Sequence, residues 1–115
     1  MRKILLVLFL LPTLCFADTY YWVNGAGDWA DLTHWATTSG GTTYHNTVPG
    51  SGDDVIFDGN SGSIDFTINV NVTTVYTKDF TVTTGAPSIT LSSGAVTYEL
   101  FGSLTLNNGF VVSIS

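Results

Sequence analysis

Apolar and polar residues alternate without a break from Ile64 to Val72. Ile64, Phe66, Ile68, Val70 and Val72 are apolar, and Asp65, Thr67, Asn69 and Asn71 between them are polar. This is the period of a strand with one buried face; a helix would scatter the same apolar groups around its axis. A shorter unit follows and recurs. Phe80-Thr81-Val82-Thr83-Thr84-Gly85 is echoed by Ile89-Thr90-Leu91-Ser92-Ser93-Gly94 and by Leu104-Thr105-Leu106-Asn107-Asn108-Gly109. In each copy an apolar pair faces one way, threonine faces the other, and a glycine supplies freedom at a corner. The copies start at residues 80, 89 and 104, so a full cycle is 24 residues, with Val96–Leu100 as a further strand in the longer gap. Three short strands per cycle of that length is the coil size of a parallel β-helix.

The pattern therefore predicts an all-β chain. Residues 51–115 are expected to form the first rungs of a right-handed parallel β-helix, behind an aromatic N-terminal capping segment over 18–50. A small β-sandwich, which also strings short alternating strands between turns, is the alternative. The likeness among the units favours the β-helix, because a sandwich gives no reason for it. The sequence runs to Ser115 through strand-like Phe110-Val111-Val112-Ser113-Ile114 without a turn or polar cap, which predicts the front of a longer protein.

The first residues read differently. Met1-Arg2-Lys3 is basic, Ile4–Leu11 is wholly apolar, and Pro12 precedes Cys15-Phe16-Ala17, with small residues one and three places before Asp18. These are the three parts of a secretion signal, and residues 1–17 are expected to be removed on export. The apolar run is far short of the roughly twenty residues that a membrane-spanning helix needs, so no membrane insertion is expected after cleavage. Leu14 before Cys15 does not suit lipid attachment, which wants a small residue there. The expected location is outside the cell or on its surface.

Export leaves residues 18–115, one small domain without cysteine and hence without disulfide or thiol chemistry. Its single basic residue, Lys78, faces all nine carboxylates. That balance repels phosphate backbones, so no nucleic acid is expected as a partner. Extracellular polysaccharide, or a host or cell-surface ligand, is the partner class that fits.

All three tryptophans, Trp22, Trp29 and Trp35, fall in the capping segment, interrupted by Gly25 and Gly27. Exposed, they would be sugar-stacking faces; folded over, they would plug an open β-helix end and bury what the first rung leaves bare. Their spacing favours the plug, with Asp31 capping one helical turn that carries Leu32 and Trp35. Asp53, Asp54 and Asp58, near Asn60, are candidate ligands for Ca2+, the one cofactor considered. Turn chemistry around Val55-Ile56-Phe57 explains them better. His34 and His45 lack a clear third metal ligand. Asn71-Val72-Thr73 matches the glycosylation acceptor pattern, which arises often by chance. The chain holds no nucleophile elbow, phosphate loop or dinucleotide fingerprint, and a non-catalytic structural or adhesive role is expected, with a carbohydrate-binding or carbohydrate-active β-helix module as the alternative.

The run Tyr21-Trp22-Val23-Asn24-Gly25-Ala26-Gly27-Asp28-Trp29, continued to His34-Trp35, resembles the opening of large secreted proteins of Bacteroidota-type bacteria. Pro49-Gly50-Ser51-Gly52-Asp53-Asp54-Val55-Ile56-Phe57-Asp58 is similar to the segment that follows in them, and Ala86–Leu91 with Phe101–Leu106 to their first rungs. The resemblance implies the N-terminal region of a β-solenoid, adhesin-like surface protein. It brings no catalytic residue.

Overall fold

The computed structural model describes residues 17–107 and 109–114. The expected leader, up to residue 16, lies outside the described residues. The rest is all-β. Its strands are β1 (Thr19–Trp22), β2 (Gly27–Asp28), β3 (Trp35–Ala36), β4 (Asp54–Phe57), β5 (Phe66–Asn69), β6 (Thr74–Thr77), β7 (Phe80–Val82), β8 (Ile89–Ser93), β9 (Thr97–Leu100), β10 (Leu104–Thr105) and β11 (Phe110–Ile114). A single 3-10 turn, Leu32–His34, precedes β3.

Strands that follow one another in the chain do not pair along most of its length. They go to different sheets, in the orders β10-β7-β4-β1-β3, β11-β8-β5-β2 and β6-β9. All pairs are parallel except β1 with β3. A sandwich assembled from hairpins would pair chain neighbours antiparallel, and only β1 and β3 come near that. Val55 lies beside Phe80 and Phe80 beside Leu104; Phe66 lies beside Ile89 and Ile89 beside Phe110; Thr74 lies beside Thr97. The first and third copies of the repeat are thus partners in one ladder, as the 24-residue cycle requires. The second copy stands in another sheet.

The registers make columns of like residues. Phe66, Ile89 and Phe110 form one and Ile68, Leu91 and Val112 another, while Thr67, Thr90 and Val111 lie on the opposite face. Ring contacts run along one sheet, with Phe57 to Phe80 at 5.4 Å, and across to the next, with Phe80 to Phe110 at 5.5 Å. Side chains also stitch one pass of the chain to the next. Asp54 accepts the Asp79 N–H (3.1 Å), Asp79 accepts that of Ser103 (2.8 Å), and Asp65 accepts that of Ser88 (3.0 Å). A Cβ at Gly102 would stand 2.0 Å from the Asp79 carboxylate, so this stitch needs glycine there. Among the described residues no buried side-chain nitrogen or oxygen lacks a hydrogen-bond partner.

Two expectations need correction. The alternation from 64 to 72 predicts Ile64 inside, but it is 75% exposed. β5 starts only at Phe66, because residues 63 and 64 bend toward the corner that Asp65 fixes on Ser88. Leu104 and Leu106, expected in the core, are 56% and 44% exposed. They face the interior with Phe80 and Leu91, but no strand among the described residues lies beyond them.

Burial separates these positions energetically. Ile89→Ala should lower unfolding free energy by roughly 2–5 kcal/mol, since it opens a void in a column closed on both sides, whereas Ile64→Ala should change it by less than about 0.5 kcal/mol. Urea unfolding followed by tryptophan emission checks both.

Candidate functional site

The tryptophans meet at one end of the stack. β1 turns Tyr20 and Trp22 inward, and Asn24 (φ 69°) with Gly25 (φ 65°) then makes a sharp left-handed exit. Asparagine tolerates this conformation better than other side-chain-bearing residues. Its amide donates to the Thr33 carbonyl (2.8 Å), which fixes the exit against the 3-10 turn. Asp31 caps that turn as expected: its carboxylate accepts both the Thr33 hydroxyl (2.7 Å) and the Thr33 N–H (3.0 Å). The turn delivers His34 and Trp35 to the interior.

There the rings pack edge to face. Trp22 lies 4.9 Å from Trp35 at 87°, and Trp29 lies 4.7 Å from Trp35 at 72°, both favoured aromatic geometries. The indole N–H of Trp35 donates to the Trp29 carbonyl (2.8 Å) and that of Trp22 to the Gly25 carbonyl (2.7 Å). Their exposures are 0%, 1% and 0% for Trp22, Trp29 and Trp35. No indole face is left on which a sugar could stack, and the three rings form a plug in which Trp22 and Trp35 sit against Phe57.

One contributor was not legible in the pattern. The His34 ring stacks on Trp22 at 4.5 Å and 9°, and its Nδ1 donates to the Val23 carbonyl (2.6 Å). Gly27 lies against the Nε2 end of this ring, where a Cβ would come 2.0 Å from Nε2. The only sequence hint was glycine two residues before Trp29. His45 is apart from this cluster, stacked on Tyr20 at 3.6 Å with Nε2 donating to the Thr19 carbonyl (3.0 Å). The two histidines therefore do not converge.

Nor do the three aspartates. Asp53 accepts the N–H groups of Asp18 (3.1 Å) and Gly50 (2.8 Å), and Asp54 accepts that of Asp79. Asp58 accepts the Asn60 N–H (2.9 Å) and the Ser39 hydroxyl (2.6 Å). These are turn and stitching roles. Among the described residues no three His, Cys, Asp or Glu side chains form a group that could hold a metal ion. Asn71, of the glycosylation pattern, accepts the Ala30 N–H (2.9 Å) and ties the plug to the strand beneath it.

Concavities lie at both ends of the described stack. An open cleft of about 500 Å³ lies between residues 24–26 and 62–67, with Phe66 along it and Ile64 at its rim. A wholly apolar hollow of about 250 Å³ lies at the other end of the stack, among Phe80, Tyr98, Leu104 and Phe110. No protein-family model, curated protein or solved structure matches the chain.

Two measurements probe the plug. Gly27→Ala must displace the His34 ring and should cost about 1–3 kcal/mol, with weakened near-ultraviolet circular dichroism. Gly52→Ala, where the added carbon meets nothing within 4 Å, should leave both unchanged. The Thr33 hydroxyl, and then its N–H, hold the Asp31 carboxyl below its ordinary range. Its stabilisation is therefore present above the ordinary aspartate pKa of about 3.9 and lost as pH falls through the lower folded value. The difference in melting temperature between wild type and Asp31→Ala should be constant near neutrality and vanish in strong acid.

Proposed function

We propose that the chain is the N-terminal, non-catalytic part of an extracellular right-handed parallel β-helix, with a structural or adhesive role at the cell surface. The observation that carries this reading is that from β4 onward the strands pair in parallel with partners about two dozen residues along the chain, and that two of the three sheets reach back to the segment with the buried tryptophans. A stacked column of this kind needs one end sealed before it can stand in water, and Trp22, Trp29 and Trp35 are placed to seal it. The polar, threonine-rich outer face, with its strong excess of carboxylates, suits a surface bathed in salt. The leader-like opening supports export, and the resemblance to adhesin-like proteins of Bacteroidota-type bacteria supports the same compartment and role.

A carbohydrate-binding role draws less support, since the residues best suited to stack on sugars are in the core. The test joins location to ligand. The product purified from an exporting host should start at Asp18, and its tryptophan emission should stay unchanged when soluble polysaccharides are titrated in. Retention inside the cell with residues 1–17 intact would overturn the surface role. Saturable quenching, lost in a folded Trp29→Ala variant, would instead favour the carbohydrate reading.

A further inference from the structure

The leader is expected to be cut after Ala17, and the structure holds a partner for the nitrogen that the cut would free. Ala17 and Asp18 are both exposed, so the bond between them is open to a protease. The Asp18 backbone N–H donates to Asp53 Oδ1 at 3.1 Å, across 35 residues of chain. Asp53 is half-buried and held in place by further bonds. Its Oδ2 accepts the Gly50 N–H (2.8 Å), and its carbonyl accepts the Lys78 N–H (2.6 Å) and the Thr77 hydroxyl (3.1 Å). The Asp54 N–H in turn donates to the Asp18 carbonyl (2.9 Å), and Thr19 pairs with Asp54 at the start of the β1–β4 ladder. Asp18 is thus gripped on both sides of its Cα, just before β1 carries Tyr20 and Trp22 into the interior.

We propose that removal of the leader turns this hydrogen bond into an ion pair, in which the new α-ammonium of Asp18 sits on the Asp53 carboxylate and pins β1, and with it the tryptophan plug, in the processed chain alone. This rests on the export reading. Water adds across the Ala17–Asp18 amide: Ala17 departs with the leader as a carboxylate, and the Asp18 nitrogen, protonated at neutral pH, keeps a proton on Asp53 and gains a unit charge. A charge-assisted hydrogen bond is roughly twice as strong as the neutral one it replaces, and exposure and salt reduce the gain. The surroundings favour the added charge. Asp18, Asp53, Asp54 and Asp79 gather at this corner, with the exposed Lys78 as its one basic side chain, so an ammonium there also relieves repulsion. The other titratable groups beside it are His45, bonded to the Thr19 carbonyl, and Tyr20. Burial, with Asp53 and Asp18 adding to it, pushes the Tyr20 phenol above its ordinary range, so it stays neutral where an α-amine titrates.

The test uses the exported product, expressed with its own residues 1–17 and carrying Lys78→Arg, which leaves the α-amine as the one primary amine of residues 18–115. N-terminal sequencing fixes where the product starts. Acetylation then removes the charge but keeps an N–H on the Asp18 nitrogen, as in the uncut chain. Near neutral pH and in low salt, the free form should melt about 2–6 °C above the acetylated form. Every other titratable group is common to both forms, so the gap reads the ammonium. Pairing raises the folded pKa of an ammonium above the ordinary α-amine value of about 7.7–8.0. The gap should therefore be complete below that value and close as pH rises through the folded one. Asp53→Asn, which keeps an acceptor oxygen without the charge, should abolish the gap at every pH. If that variant does not fold, the pH dependence of the gap decides alone. Equal melting of the two forms would overturn the proposal, as would a gap that survives in folded Asp53→Asn or fails to narrow above about pH 10. A product that starts at Asp18 and shows no gap sinks the ion pair and leaves the export reading standing. A product that starts elsewhere sinks both, because no ammonium then stands at Asp53.

Discussion

In a stack of parallel ladders, each strand's backbone groups are satisfied by the strand before it and the strand after it, and its inward side chains are covered in the same way. The interior of the stack therefore needs no special residues: any pass with apolar groups at the right two or three positions will do. The ends are where this fails, because among the described residues the first and last passes each lack a neighbour. Both the unusual composition of residues 18–50 and the exposed groups near the C-terminus of the described chain follow from that one constraint.

The N-terminal solution uses ring area. Three indoles, with the His34 and Phe57 rings, cover more apolar surface than aliphatic side chains would, and edge-to-face packing lets them fill an irregular gap without voids. Each ring nitrogen needs a partner once water is gone, which explains why the segment is rich in loops. The Gly25 and Trp29 carbonyls that receive the indoles, and the Val23 carbonyl that receives His34, lie outside the named strands, where carbonyls are free to turn. Regular strands would have spent those carbonyls on ladders.

The legibility of the sequence follows the same division. The repeats at 80, 89 and 104 and the alternation before them gave the strand class, the cycle length and the pairing of the first and third copies, because inside a stack the local period and the global register are one pattern. Asp31 as a cap was legible because capping is a local interaction. Ile64 was not, since the alternation says which residues could face inward but not where a corner cuts the strand short. His34 on Trp22, with Gly27 beneath, was not legible either. Two rings and a glycine brought together by a left-handed turn leave no periodic trace. For the aspartates and the tryptophans, composition offered two chemistries each, and only burial and hydrogen-bond partners tell them apart.

The stitching carboxylates add direction to the stack. Asp54 accepts an amide from the next pass at Asp79, and Asp79 in turn accepts one from the pass after, at Ser103. At this corner, therefore, each pass presents an acceptor to the one that follows. Ser103 stands next in that series, with a hydroxyl where its predecessors hold a carboxylate. A hydroxyl can donate or accept, whereas a carboxylate only accepts. The series thus changes from one-way to two-way hydrogen bonding at Ser103.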